Sequence, residues 1–166
     1  MGVHAGRYTA HIEGDFVVFL IGMRFNKPWK VRAWWSVASA MPKMQRELAA
    51  HPELGCLGGQ QWFGRTTILV QYWRSFDHLD RFSRDPELPH LDAWRRFNRA
   101  VRDSGDVGIW HETFAVRAGE YEAVYGNMPV FGLAAASSHV PVRQGTQSAA
   151  ARIGASDTDR PTLEPY

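Results

Sequence analysis

The stretch FVVFLIGMRF at positions 16–25, followed at once by Asn26-Lys27-Pro28, decides the fold. Apolar residues, many β-branched or aromatic, occupy both alternating sets, so it reads as a strand with two apolar faces, placed centrally in a sheet. Its longest apolar run, residues 16–23, is far short of the roughly 20 residues that span a bilayer. From about Val31 the period changes. Trp34, Val37, Met41, Met44 and Leu48 recur three or four apart, the stripe of an amphipathic helix. Pro42 is expected to kink or split that helix, and His51-Pro52 and Gly55 to end it.

Residues 56–63 (CLGGQQWF) and 66–74 (TTILVQYWR) read as two strands joined at Gly64-Arg65, a hairpin. Gly58-Gly59 marks a bulge or a close backbone approach. Ser75 is placed to cap a short helix carrying Phe76, Leu79 and Phe82. After the breakers at 85–89, a second helix is expected with Leu91, Trp94, Phe97 or Asn98, and Val101. An alternating strand follows at Val107–Val116. The order β-α-β-β-α-β predicts an α+β, ferredoxin-like domain, an antiparallel four-stranded sheet with helices on one face. Its other face is left uncovered, and a second copy of the chain is the economical partner. Residues 1–13 read as an N-terminal arm, 14–132 as the domain and 133–166 as a mobile tail, because small and polar residues dominate that end. Residues 119–132 keep their aromatics and are expected to fold back.

Composition bounds the function. The 166 residues are 45 % hydrophobic and 22 % charged, which suits one soluble domain with a tail. A net charge of +2 gives no overall field to draw nucleic acid or an anionic membrane. The lone cysteine, Cys56, excludes an intrachain disulfide and a Cys-rich metal centre, and reads as a small buried hydrophobe rather than a nucleophile. Of the basic residues only Lys27, Lys30 and Lys43 are lysines; Trp occurs seven times and aromatics reach 13 %, implying a rigid core or a ring-lined pocket. The first fifteen residues lack a signal-peptide core, and Gly6 breaks the myristoylation pattern, so a cytoplasmic address is expected. No HxxxH, HExxH or carboxylate-rich cluster appears, and no Gly-rich phosphate loop, which argues against a dedicated metal site and against bound ATP, NAD or FAD. The run Arg95-Arg96-Phe97-Asn98-Arg99 with Arg102 reads as a solvated helix face.

Several phrases, FVVFLIGMRFNKPWKV, AMPKM, HPELGCLG, WFGRTT, VQYWRSFDHLDRF, HLDAWRRFNR, VGIWHETF and YEAVYGNMP, resemble a family of small bacterial and fungal proteins. That family is described as monooxygenase-like after a fumagillin-pathway member. The resemblance runs from residue 14 to 132. It implies the dimeric α+β barrel superfamily, shared with the antibiotic-biosynthesis monooxygenases, in which two ferredoxin-like subunits pack sheet to sheet. Relatives there include cofactor-independent monooxygenases, haem-degrading enzymes, aldoxime dehydratases and stress-response proteins.

The candidate site residues come from the chain itself. His111 stands mid-strand with Ile109, Thr113 and Ala115 on its face, as a general base or a haem ligand. A core or interface histidine satisfied by its neighbours is the plain alternative. Arg24 shares a face with Val18 and Leu20, where Gly22 is expected to open space beside it, and suits an anion at a pocket mouth, or a salt bridge at the strand end. Trp62, Gln71, Tyr72 and Trp73 are candidate walls of a cavity between sheet and helices, and equally the content of an ordinary core. Tyr125, with Asn127 and the hinge Gly126, is placed to close that cavity as a lid, or to bond to backbone in a return segment. The expectation is a homodimeric monooxygenase-like enzyme acting on a hydrophobic, aromatic or polyketide-like molecule. It needs no bound cofactor, with His111 as base and Arg24 as anion stabiliser. Two alternatives stand beside it. One is a haem enzyme of dehydratase or peroxidase type with His111 as axial ligand and Arg24 near a propionate. The other is a non-catalytic ligand-binding or stress-response dimer. Nucleic acid and membrane are not expected partners.

Overall fold

The elements follow as β1 (His4–His11), β2 (Phe16–Phe25), α1 (Val31–Ala50), a 3-10 turn (Pro52–Leu54), β3 (Cys56–Trp62), β4 (Ile68–Trp73), α2 (Phe76–Arg84), β5 (Val107–Val116), β6 (Tyr125–Met128), α3 (Gly132–Ala136), β7 (Ser138–Pro141) and α4 (Ala149–Arg152). A computed structural model of the chain describes residues 2–85 and 104–154. The helix expected around Leu91, Trp94 and Val101, the basic run at 95–99 and residues 155–166 lie outside the described residues. Two compact units emerge, Val17–Ala115 and Met1–Phe16 with Val116–Tyr166.

In the first unit the sheet order is β3-β4-β2-β5, so the strand apolar on both sides does lie inside the sheet. With α1 and α2 as crossovers this is the ferredoxin-like α+β arrangement. Across the antiparallel β2–β4 ladder Val17 pairs with Trp73, Phe19 with Gln71 and Ile21 with Leu69; Val18 pairs with Tyr72 and Leu20 with Val70. The odd-numbered β2 set faces the helices. Val17 and Trp73 pack with Leu48 of α1 and with Leu79 and Phe82 of α2, flanked by Phe19, Met44, Leu54 and Cys56. Met23 and Val107 make a second cluster with Phe25, Trp34, Ala38 and Ile109. Burying one such aliphatic or phenyl side chain contributes about 1.5–3 kcal/mol. These contacts, rather than helix propensity, hold α1 in place.

Pro42 does not split α1, which runs through it for 20 residues. It sits on the exposed side, where a carbonyl deprived of its helical partner is solvated. The β3–β4 pairing shifts register between Cys56 and Gly58, the bulge the two glycines announced. Ser75 caps α2 by accepting from the His78 amide at 3.3 Å. Gly55, at φ +87°, holds the turn before β3, and a Cβ there would come within 2.5 Å of the His78 ring.

Gly22 corrects an expectation. It does not open space beside Arg24. A Cβ at this position would sit 2.0 Å from the Thr67 carbonyl oxygen and 2.8 Å from Trp110 Nε1. The close approach continues the β2 pairing beyond β4: Thr67 N donates to Met23 O at 2.8 Å, and Met23 N donates to the Thr67 hydroxyl at 3.0 Å. At the far end of β2, Asp106 holds the turn into α1, with Lys27 Nζ at 2.8 Å and Lys30 Nζ at 2.7 Å from its two carboxylate oxygens. Hydrogen bonds from both lysines hold its pKa below the usual carboxylate value.

The second unit joins the two ends of the chain in one sheet. The segment taken for an arm is β1, central in a three-stranded sheet of order β6-β1-β7. Tyr8 pairs with Tyr125 on one side and with Pro141 on the other. Residues 133–154, expected to be mobile, include most of α3 with β7 and α4. What holds them is small-residue and polar packing that a hydrophobicity count misses. Ala10, Leu133 and Ala134 are buried, the Thr9 hydroxyl donates to Ala123 O at 2.7 Å, and Arg152 Nε donates to Glu122 at 2.7 Å.

Gly22→Ala is expected to destabilise the chain by at least about 1–3 kcal/mol, because β2 and Thr67 must separate to admit the methyl group. The urea midpoint of the purified variant measures it, and an unchanged midpoint would contradict the packing described.

Candidate functional site

Alternation along the strands sorts the candidate residues onto two faces. Ile109 packs with the Met23 cluster on the helix side, and His111, two residues on, places its ring 5.9 Å from that of Phe19. Phe19 pairs in turn with Gln71. His111, Phe19 and Gln71 therefore form a row across β5, β2 and β4. Gln71 is 3 % exposed and Trp73 fully buried, and Trp73 Nε1 donates to Gln71 Oε1 at 3.2 Å. They are the floor of the row, fixed by each other. His111 itself is exposed.

Arg24 is on the opposite face. A Cβ at Gly108 would lie 3.8 Å from the Arg24 Cβ, and the Arg24 guanidinium Nη1 donates to the Thr66 hydroxyl at 2.8 Å. Tyr72 and Trp62 share this second face with Val18, Leu20, Ile68 and Val70. His111 and Arg24 thus cannot act on one group from one side. The expected pairing of base and anion stabiliser is corrected by strand parity: 111 follows Ile109 toward the helices, whereas 24 follows Gly22 away from them. By the same parity, Arg24 does not stand on the face from which His111 would hold a haem, so the propionate role expected of it does not go with the axial-ligand role.

Tyr125 belongs to the other unit, in β6 rather than in a lid. Its hydroxyl accepts from the Ala134 amide at 3.3 Å, and burial pushes its pKa up. Asn127, in the left-handed region at φ 51°, accepts from the Gly6 amide through Oδ1 at 3.0 Å. This is the backbone-bonded return segment. Cys56 is half-buried, and burial raises its thiol pKa, which suits an inert side chain. No group of three or more metal-ligating side chains occurs among the described residues.

Sequence reasoning missed a ring cluster in the second unit. Tyr8 and His139 stack at 4.2 Å with planes 13° apart, and His4 meets His139 edge-on at 5.0 Å. His139 pairs with Ala10, two ladder positions from Tyr8 and so on the same face, a signal invisible until β1 and β7 are recognised as strands. His139 Nε2 is buried with no hydrogen-bond partner among the described residues. Burial, and then the neighbouring His4, hold its pKa below that of an ordinary histidine.

The model of the family described as Monooxygenase af470-like matches residues 16–133. Monooxygenase af470 of Aspergillus fumigatus is 32 % identical over 124 residues, covering 69 % of this chain and 44 % of that protein. The chain therefore spans under half the length of this relative. A crystal structure of aldoxime dehydratase superposes with a TM-score of 0.60 at 18 % identity, over 76 % of this chain and 41 % of that one. The structure of Rv0793 from Mycobacterium tuberculosis gives 0.42 at 16 % identity, over 59 % and 92 %. The aldoxime dehydratase likeness supports the α+β fold and nothing finer.

Protonating His139 is disfavoured in the folded state relative to the unfolded one. Its contribution to stability is therefore full above the unfolded histidine pKa and is lost as pH falls below it. His139→Phe is expected to flatten the pH dependence of the melting temperature between about pH 7 and pH 5. An unchanged profile would show that another group governs it.

Proposed function

The chain belongs to the Monooxygenase af470-like family, and on that premise we propose that it oxidises a hydrophobic, aromatic or polyketide-like molecule held on the helix side of the sheet, with His111 as the base. The observation that carries this is the His111 imidazole, exposed beside the half-buried Phe19 ring, in a row that Phe19 shares with the buried Gln71. Histidine is the side chain whose charge changes near neutral pH. A base there takes a proton from an acidic carbon of a substrate whose apolar body covers the Phe19 ring and displaces water from the imidazole as it binds. The carbanion is itself the reductant of O2. A substrate CH2 becomes C=O, and the second oxygen atom leaves as water with the two hydrogens, so no resident cofactor is required. Arg24 has no part in this step. It belongs to the opposite face, where half-buried Val18, Leu20, Ile68 and Val70 suit the sheet of a second copy.

Oxygen consumption should be followed with a panel of hydrophobic phenols and polyketide-like compounds bearing an acidic CH2. His111→Ala is expected to lower the rate by about 10²–10⁴-fold, with stability changed by less than about 0.5 kcal/mol because the ring is exposed. Retained turnover in this variant removes His111 from the chemistry. Absence of oxygen uptake with every compound favours the non-catalytic binding role. Light scattering with Leu20→Glu tests the second copy: the expected outcome is a dimer for the parent chain and a monomer for the variant.

A further inference from the structure

The turn before α1 and the exposed side of that helix gather chemistry that the proposed oxidation does not use. Trp29 is 72 % exposed and Trp35 60 %, with Val31 exposed between them. Single apolar residues at a surface need no explanation, but two indoles and a valine within seven positions form a patch. Basic residues crowd the same stretch. Between residues 16 and 46 lie Arg24, Lys27, Lys30, Arg32, Lys43 and Arg46, with no acidic residue, and these include every lysine in the chain. At 100° per residue Arg32, Trp35, Lys43 and Arg46 fall within one quadrant of the helix surface, and all four are exposed.

Little negative charge balances these six cations: Glu47, one turn beyond Lys43, lies against His51. One carboxylate, Asp106, meets both Lys27 and Lys30, so one positive charge of that trio stays uncompensated. The arrangement also fixes the turn in which Trp29 stands, between the two lysines. The Trp34 indole, by contrast, turns inward against Phe25 at 4.8 Å and donates to Pro28 O at 3.1 Å. The exposed rings are thus held on an ordered turn and helix start.

We propose that this face is a peripheral docking surface for an anionic lipid bilayer. Trp29, Val31 and Trp35 enter the headgroup region, and Arg32, Lys43 and Arg46 meet the lipid phosphates. Indoles favour that interface because one edge is apolar and the other donates a hydrogen bond. Long basic side chains lay their stems along apolar surface while their charged ends reach the headgroups. The modest charge of the whole chain does not oppose this, since screening over about 8–10 Å makes the local cluster what a surface feels. No helix among the described residues is long and apolar enough to cross a membrane, so the contact is one of lying on the surface.

The test uses the full chain and needs no substrate, so its outcome is independent of the oxidation proposed above. Co-sedimentation is measured with vesicles of phosphatidylcholine alone and of phosphatidylcholine mixed with phosphatidylglycerol. Partitioning onto the mixed vesicles is expected, with a blue shift of tryptophan emission and a steep decline with added salt. Trp29→Ser with Trp35→Ser, and separately Lys43→Glu with Arg46→Glu, are each expected to lower partitioning by about tenfold or more. All four side chains are exposed, and unchanged circular dichroism confirms that the variants fold. Failure to bind mixed vesicles, binding that either pair of substitutions leaves intact, or a tryptophan pair that alters only the oligomeric mass overturns the proposal. The last result would assign the face to a protein contact.

Discussion

Parity along β2 governs the first unit. Because the strand lies inside the sheet, each of its residues is committed to one of two faces, and its neighbours inherit the assignment through the ladder. Val17, Phe19 and Ile21 bring Trp73, Gln71 and Leu69 to the helix side, whereas Val18 and Leu20 bring Tyr72 and Val70 to the other. That rule separates His111 from Arg24 and divides the candidate residues into a row beneath the helices and a group on the opposite face. Any chemistry assigned to this unit must respect that division.

The close approach at Gly22 keeps the parity from drifting. β4 ends at Ile68 on its N-terminal side, yet β2 continues to Phe25, and Thr67 bridges the difference with both its backbone and its hydroxyl. A threonine side chain thus stands in for a missing rung. Trp110, whose buried Nε1 lacks a partner among the described residues, packs beside the same glycine. The unsatisfied donor is the cost of bringing an indole against a strand that has no side chain to offer it.

The element order from β2 to β5 was legible because each signal there is local: an apolar run, a helical stripe, a capping serine, a pair of glycines at a bulge. Val107–Val116 was readable from alternation alone. The second unit was not, because its sheet joins residues more than a hundred positions apart, as where Tyr8 meets Tyr125. Its strands are short, and small or polar residues carry much of the packing. At the candidate site, His111 could be singled out from its place in the strand. Its separation from Arg24 required knowing which parity on β5 corresponds to which on β2, and that depends on pairing register, which the sequence of either strand alone does not contain.

Asp106 immediately precedes the strand that carries His111, and its carboxylate is tied to both lysines flanking Trp29. The imidazole and the exposed indole are therefore mechanically linked through the alignment of β5. Sliding that strand by one residue would turn His111 to the wrong face and, in the same movement, draw the anchor away from the turn before α1. The alignment of a single strand thus works as a shared coordinate for two surfaces that have no residue in common.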